Sequence, residues 1–148
     1  MVIIDAKNMI IGRIASIIAK RALLGEKISI INCEDAIITG NKDQIFARFK
    51  QKRDMGIPLK GPYIHRSPDK IVRRIVRGML PYKKPRGRDA YKRVMCYVGF
   101  PSSLKESKDS VEKIDLADIS KFQTLKYISI GEVSKFLGSK KYKAQETN

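Results

Sequence analysis

The chain has 148 residues, 43% of them apolar and 31% charged. That composition excludes a disordered polymer and gives one domain enough chain to bury roughly 70% of its unfolded surface, so neither disulfides nor a metal is needed for folding. Thirty-one Lys and Arg against fifteen Asp and Glu leave a net charge of +16, which points to a polyanionic partner, nucleic acid first and an anionic membrane surface second.

In chain order, Val2 to Ile4 predicts a short buried strand. "IIGRIASIIAKRALLG" predicts a helix, with Ile14, Ile17, Ile18 and Ala22 on one side and Arg13, Ser16 and Lys20 on the other, stopped by Gly25. Asp5, Lys7 and Arg13 interrupt the first apolar stretch, so neither a signal peptide nor a spanning helix is expected. "KISIIN" reads as a second strand and "AIIT" as a third apolar run. Asn41 with Gln44 has the spacing of a capping box for a helix that turns Ile45, Phe46 and Phe49 inward and Arg48, Lys50, Lys52 and Arg53 outward.

From Asp54 to Ser67, "DMGIPLKGPYIHRS" reads as a loop or extended arm. Ser67 is the expected cap of the next helix, Pro68 its first residue, and Gly78 and Pro81 its end. "YKKPRGRDAYKR" reads as irregular at first and helical later, and as a basic loop overall. "RVMCYV" is a strand, and a polar connection from Pro101 to Lys113 leads to "DLADISKF", which is too short to assign. "KYISI" is the last strand. Ser129 with Glu132 makes a second capping box, for a helix carrying Val133, Phe136 and Leu137, and Gly138 ends it. Residues 1–141 read as one α/β domain, including a basic arm at about 54–93, and residues 142–148 as a polar tail.

Between Arg48 and Arg93 sixteen basic residues face three acids, Asp54, Asp69 and Asp89, which places +13 of the total +16 in this one region. On a helical wheel from Pro68 to Leu80, Lys70, Arg73, Arg74 and Arg77 share an arc of roughly 100°, and Ile71, Val72, Ile75, Val76, Met79 and Leu80 fill the rest. A merely solvated face would interleave acids for i,i+4 pairing, and none occurs between Lys70 and Arg88. Arginine also suits bidentate contact with phosphate oxygens. Tyr82 and Tyr91 offer rings either for stacking on exposed bases or for ordinary packing.

Catalytic signatures fail. "TGNK" lacks the glycine spacing of a phosphate-binding loop, and Gly12 has no partner glycines for a dinucleotide fingerprint. His65 is the only histidine, which excludes a His-based metal cluster; a lone acid/base role stays open, but in its basic setting it reads as a backbone or phosphate contact. Glu34 and Asp35, adjacent at a strand end, point to opposite faces and so to capping or solvation rather than Mg²⁺ binding. Cys33 and Cys96 read as reduced core thiols.

In order, "GRIAS", "INCEDAIITGNK", "GPYIHRSPDKIVRRIVRGMLPYKKPRGRDAYKR", "CYVGFP" and "YISIGEVSKFLG" resemble the large-subunit ribosomal protein family numbered thirteen, in its archaeal and eukaryotic form, from about Val2 to Lys141. The resemblance implies a three-layer α/β/α fold around a four-stranded, mainly parallel sheet with basic loop and helix extensions. It implies a structural part of the large ribosomal subunit in the cytoplasm that binds large-subunit ribosomal RNA, abuts neighbouring ribosomal proteins and helps early assembly. It implies no catalysis, cofactor, metal, small-molecule substrate or membrane. Its RNA-facing set falls on Arg66, Arg73, Arg74, Arg77, Lys83, Lys84, Arg86 and Arg88; the basic region adds Lys52, Arg53, Lys60, His65, Lys70 and Lys92 as candidate contacts. The rival readings are an RNA-acting enzyme on an α/β scaffold, which would need a cofactor loop or convergent acids that the chain lacks, and a membrane-surface anchor, for which the basic helix lacks Trp and Phe.

Overall fold

The computed structural model describes residues 1–57, 59–104, 111–121 and 126–139. The proposed tail at 142–148 and the middle of the Pro101–Lys113 connection lie outside them.

Four strands form one parallel sheet in the order β4-β2-β1-β5: β1 (Val2–Asp5), β2 (Ile28–Ile31), β4 (Val94–Cys96) and β5 (Val111–Glu112). β2 is buried along its whole length, as its unbroken apolar run requires of a central parallel strand. The other two strands, β3 (Ile37–Thr39) and β6 (Tyr127–Ser129), leave that sheet and pair antiparallel with each other. The fourth position in the main sheet therefore goes to β5, inside the connection where the sequence predicts no strand. An ion pair of 2.6 Å from Arg21 to Glu112 ties it to the first helix.

That helix, α1 (Ile11–Leu23), buries Ile11, Ile14, Ala15, Ile18, Ala19 and Ala22 on one stripe, and Lys20 and Arg21 in its last turn complement the helix dipole. Ile17, expected inward, sits at the rim, half-buried. Gly25 stops the chain at φ 107°. α1, α3 (Pro68–Met79) and α4 (Pro85–Lys92) cover one sheet face, where Ile4, Ile28, Ile30, Val94 and Cys96 meet Ile71, Val72, Val76 and Ala90. Ile3 and Ile31 face the opposite way, against Leu104, Tyr97, Phe100 and Val111. The result is a three-layer α/β arrangement whose second outer layer is thin among the described residues.

α2 (Lys42–Asp54) stands outside these layers and buries no residue fully; Ile45, Phe46 and Phe49 are half-buried, on the expected side. It is held to α5 (Ile130–Phe136) by the stacked rings of Phe46 and Phe136, 4.4 Å apart, and by Lys42–Glu132 at 3.0 Å. Asn41 caps α2 by accepting from the Asp43 N–H rather than through the box expected with Gln44. Half of the box expected at Ser129 forms, its hydroxyl accepting from the Glu132 N–H at 3.2 Å, while the Glu132 carboxylate pairs with Lys42. Ser67 occupies the cap position of α3 without a side-chain hydrogen bond.

Cys33 and Cys96 are free and buried. The Cys33 thiol is pushed well above the usual thiol range, first by its hydrogen bond with Cys96 and then by burial, which keeps it protonated and unreactive. Glu34 and Asp35 fall in a short 3-10 turn, Cys33–Asp35, rather than on a strand end. Glu34 is spent on structure: both its carboxylate oxygens accept from the Gly99 N–H, at 2.9 and 3.1 Å.

Candidate nucleic-acid interface

α3 carries the site because its two faces have different tasks. Ile71, Val72 and Val76 are anchored in the core, so Lys70 and Arg74 must point out and Arg73 and Arg77 lie half-buried at the boundary. Met79, expected on the apolar face, is 42% exposed at the last helical position, and Leu80 is buried in its place.

The boundary arginines are ordered by aromatic rings. The Arg73 guanidinium lies 4.6 Å from the centre of the Tyr91 ring on α4, and that of Arg77 lies 5.0 Å from the Tyr82 ring. Each contact offsets part of the entropy of ordering a long side chain while leaving the guanidinium edge free to donate. One face of each tyrosine is thus occupied from within, which favours packing over base stacking for these rings. The Nε of Arg73 is buried and has no partner among the protein groups.

His65, Lys70, Arg73, Arg74, Arg77 and Tyr91 together line a recess of about 160 Å³. A second recess, of about 240 Å³, shares His65 and Arg74 and adds Lys52, Phe49, Ile64, Ile71, Ile75 and Gly78. Six expected contact residues therefore converge on two adjoining hollows. Arg53 and Arg66 line a third, of about 530 Å³, under the 55–64 loop. Lys60, Lys83, Lys84, Arg86, Arg88 and Lys92 are exposed and line none of these.

Acid partners are few. Arg53 meets Asp54 at 2.9 Å and Lys92 meets Asp89 at 3.7 Å; none of the other expected cations is ion-paired among the described residues. The surplus registers in Lys52, whose pKa is lowered by burial first and then by repulsion from Arg48 and Arg74. A cluster with this surplus of cations loses part of its own stability to self-repulsion, which a bound polyanion would relieve.

The loop reading of "YKKPRGRDAYKR" needs correction. Pro85–Lys92 is helix α4, started by Pro85 and packed through buried Gly87 and Ala90. Gly87 is required there: a Cβ would collide with the carbonyl of Pro81. Sequence reasoning also passed over Ile64 and Gly78 as site residues. The available signal was the spacing of Ile71, Arg74, Ile75 and Gly78, one stripe of a helix ending in a glycine that no turn demands.

No group of three or more His, Cys, Asp or Glu converges as a metal site among the described residues, and no helix there is long and apolar enough to cross a membrane. A family model described as ribosomal protein L13 matches residues 1–103. The chain belongs to the ribosomal protein L13 family. The matched span holds β1 to β4 and the whole basic region.

Similar proteins agree with the L13 assignment, each named large ribosomal subunit protein uL13. One from Methanopyrus kandleri is 48% identical over 136 residues, 92% of this chain and 86% of the relative. One from Archaeoglobus fulgidus is 47% identical over 137 residues, with the same coverage of 92% and 86%. One from Methanocaldococcus jannaschii is 48% identical over 144 residues, 95% of this chain and 99% of the relative. All three relatives are archaeal, and L13 membership marks the chain as a ribosomal protein rather than an enzyme.

Proposed function

We propose that this protein is a structural component of the large ribosomal subunit in the cytoplasm, that it binds large-subunit ribosomal RNA through the cationic face of α3 and the basic segments beside it, and that it helps early subunit assembly. The observation that carries the reading is the juxtaposition of Lys70, Arg73, Arg74 and Arg77 around one recess, none of them ion-paired among the described residues. Folded RNA brings phosphates of neighbouring helices close together, and a rigid set of cations lowers that repulsion by displacing condensed counterions. The α/β body fixes the direction in which the set points. Arg66, Lys60, Lys83, Lys84, Arg86 and Arg88 extend the same field to either side, and neighbouring ribosomal proteins are the expected partners of surfaces away from it.

Sedimentation tests the proposal. The protein should travel with large subunits at low salt and be released from partly stripped particles by high salt; migration only as free protein, or retention indifferent to salt, would refute it.

A further inference from the structure

The recess of about 240 Å³ between α2 and α3 differs from the more cationic one beside it. Ile64, Ile71, Ile75 and the ring of Phe49 make it apolar inside, while Lys52 and Arg74 rim it with positive charge and His65 adds an imidazole. Lys52 lies 5.7 Å from the centre of the Phe49 ring and occupies one face of it, as Arg73 and Arg77 do for Tyr91 and Tyr82, and both Lys52 and Phe49 line the recess. Cavities of about 300–1,000 Å³ enclose drug-sized ligands; this one suits a smaller, flat group bearing a negative charge.

Gly78 supplies the second, independent observation. A glycine within a helix weakens it, and is retained where the chain needs a positive φ or where backbone must come close to something. Gly78 has no positive φ, and a Cβ built on it would meet nothing within 4 Å. Neither a turn nor crowding inside the molecule accounts for it. It lies on the recess wall, one turn beyond Arg74, and is exposed. The backbone of α3 is therefore bare of side chain at this point of the recess wall.

We propose that the groove between α2 and α3 receives one unstacked nucleotide of the bound RNA, its base lying on the Phe49–Ile75 wall over the backbone of Gly78 and its phosphate meeting Arg74, Lys52 and His65. The proposal rests on the RNA-binding function above and deepens it: bases freed from stacking are where proteins read RNA, by aromatic and apolar contact with the ring faces. The α3 cations would then supply general affinity and this groove local selection.

The test uses the full-length protein and deproteinised large-subunit ribosomal RNA in filter binding, with thermal melting of each free variant. Gly78→Leu plugs the groove without altering charge. It should melt at or above the wild-type temperature, bind RNA roughly tenfold more weakly at fixed salt, keep the wild-type salt slope, and lose protection of one unpaired base in chemical footprinting. Gly78→Ala, which adds a single methyl and keeps the test open if the leucine perturbs folding, should weaken binding roughly threefold. Wild-type affinity in both variants, or a footprint in which Gly78→Leu leaves every unpaired base as protected as the wild type does, would overturn the groove while leaving the cationic face intact. If the wild-type protein does not bind the RNA at all, the proposed function falls, and this inference with it.

Discussion

Replacing Lys70 and Arg74 with Gln removes two positive charges from α3 while sparing what α3 does for the fold. Lys70 makes no hydrogen bond or ion pair among the described residues, and Arg74 makes one, to the Tyr63 carbonyl at 3.4 Å. Surface changes of this kind shift stability by about 0.5 kcal/mol or less. At about 3 °C per kcal/mol for a chain of this size the melting temperature should move by less than about 2 °C. Relief of the repulsion that Arg74 exerts on Lys52 acts in the stabilising direction. RNA binding should respond much more. Losing two phosphate contacts lowers the slope of log K against log salt by roughly 1.4–1.8. Between 1 M salt, where the counterion contribution vanishes, and about 0.15 M, a span of about 0.8 decade, that difference accumulates to about twentyfold in affinity. Filter binding of large-subunit ribosomal RNA to both proteins across that range of salt reads slope and affinity together. Parallel lines would refute the reasoning, because they would mean that neither side chain neutralises a phosphate.

Gly87→Ala should lower stability by about 1–3 kcal/mol, a fall of about 3–10 °C in melting temperature, because the new methyl must displace the Pro81 backbone; an unchanged melting point would show that the Pro81–Gly87 turn is free to open. Glu34 gives a pH dependence. Burial is the largest cause that raises its pKa above the ordinary glutamate value, opposed by hydrogen bonds from its own N–H and that of Gly99. A raised folded-state pKa means stability that is fully present below about 4.5 and lost as pH rises through the folded value. Glu34→Gln keeps an acceptor for Gly99 and no longer titrates, so its stability relative to the wild type should increase from about pH 4.5 upward and then level off. A relative stability that falls over that range in urea unfolding would reverse the assignment.

The segment most legible from sequence is α3. Its apolar residues recur at helical spacing, its arginines occupy the complementary arc, and Pro68 fixes the start, all within one short window of chain. α1 and the cap at Ser129 are legible for the same reason. The convergence of His65, Lys70, Arg73, Arg74 and Arg77 follows almost directly, because four of the five share a helix face.

What escapes a linear reading is everything settled by distant partners. β5 is two residues long, too short for any alternation, and becomes a strand only because the edge of β1 offers it hydrogen bonds. β3 and β6 have ordinary strand character, yet they pair with each other and not with the main sheet, since Ile37 is already docked beside Ile10 and the Ile130 N–H bonds to the Ala36 carbonyl. Tyr82 and Tyr91 read equally well as base platforms or packing rings until α4 folds back and brings Tyr91 under Arg73. By itself the sequence determined which helix faces are apolar and where the charge resides, because periodicity and charge are local properties of neighbouring residues. Only the tertiary structure decided which strands share a sheet, which rings hold the arginines and where α2 and α3 leave a groove, because each depends on groups far apart in the chain competing for the same partners.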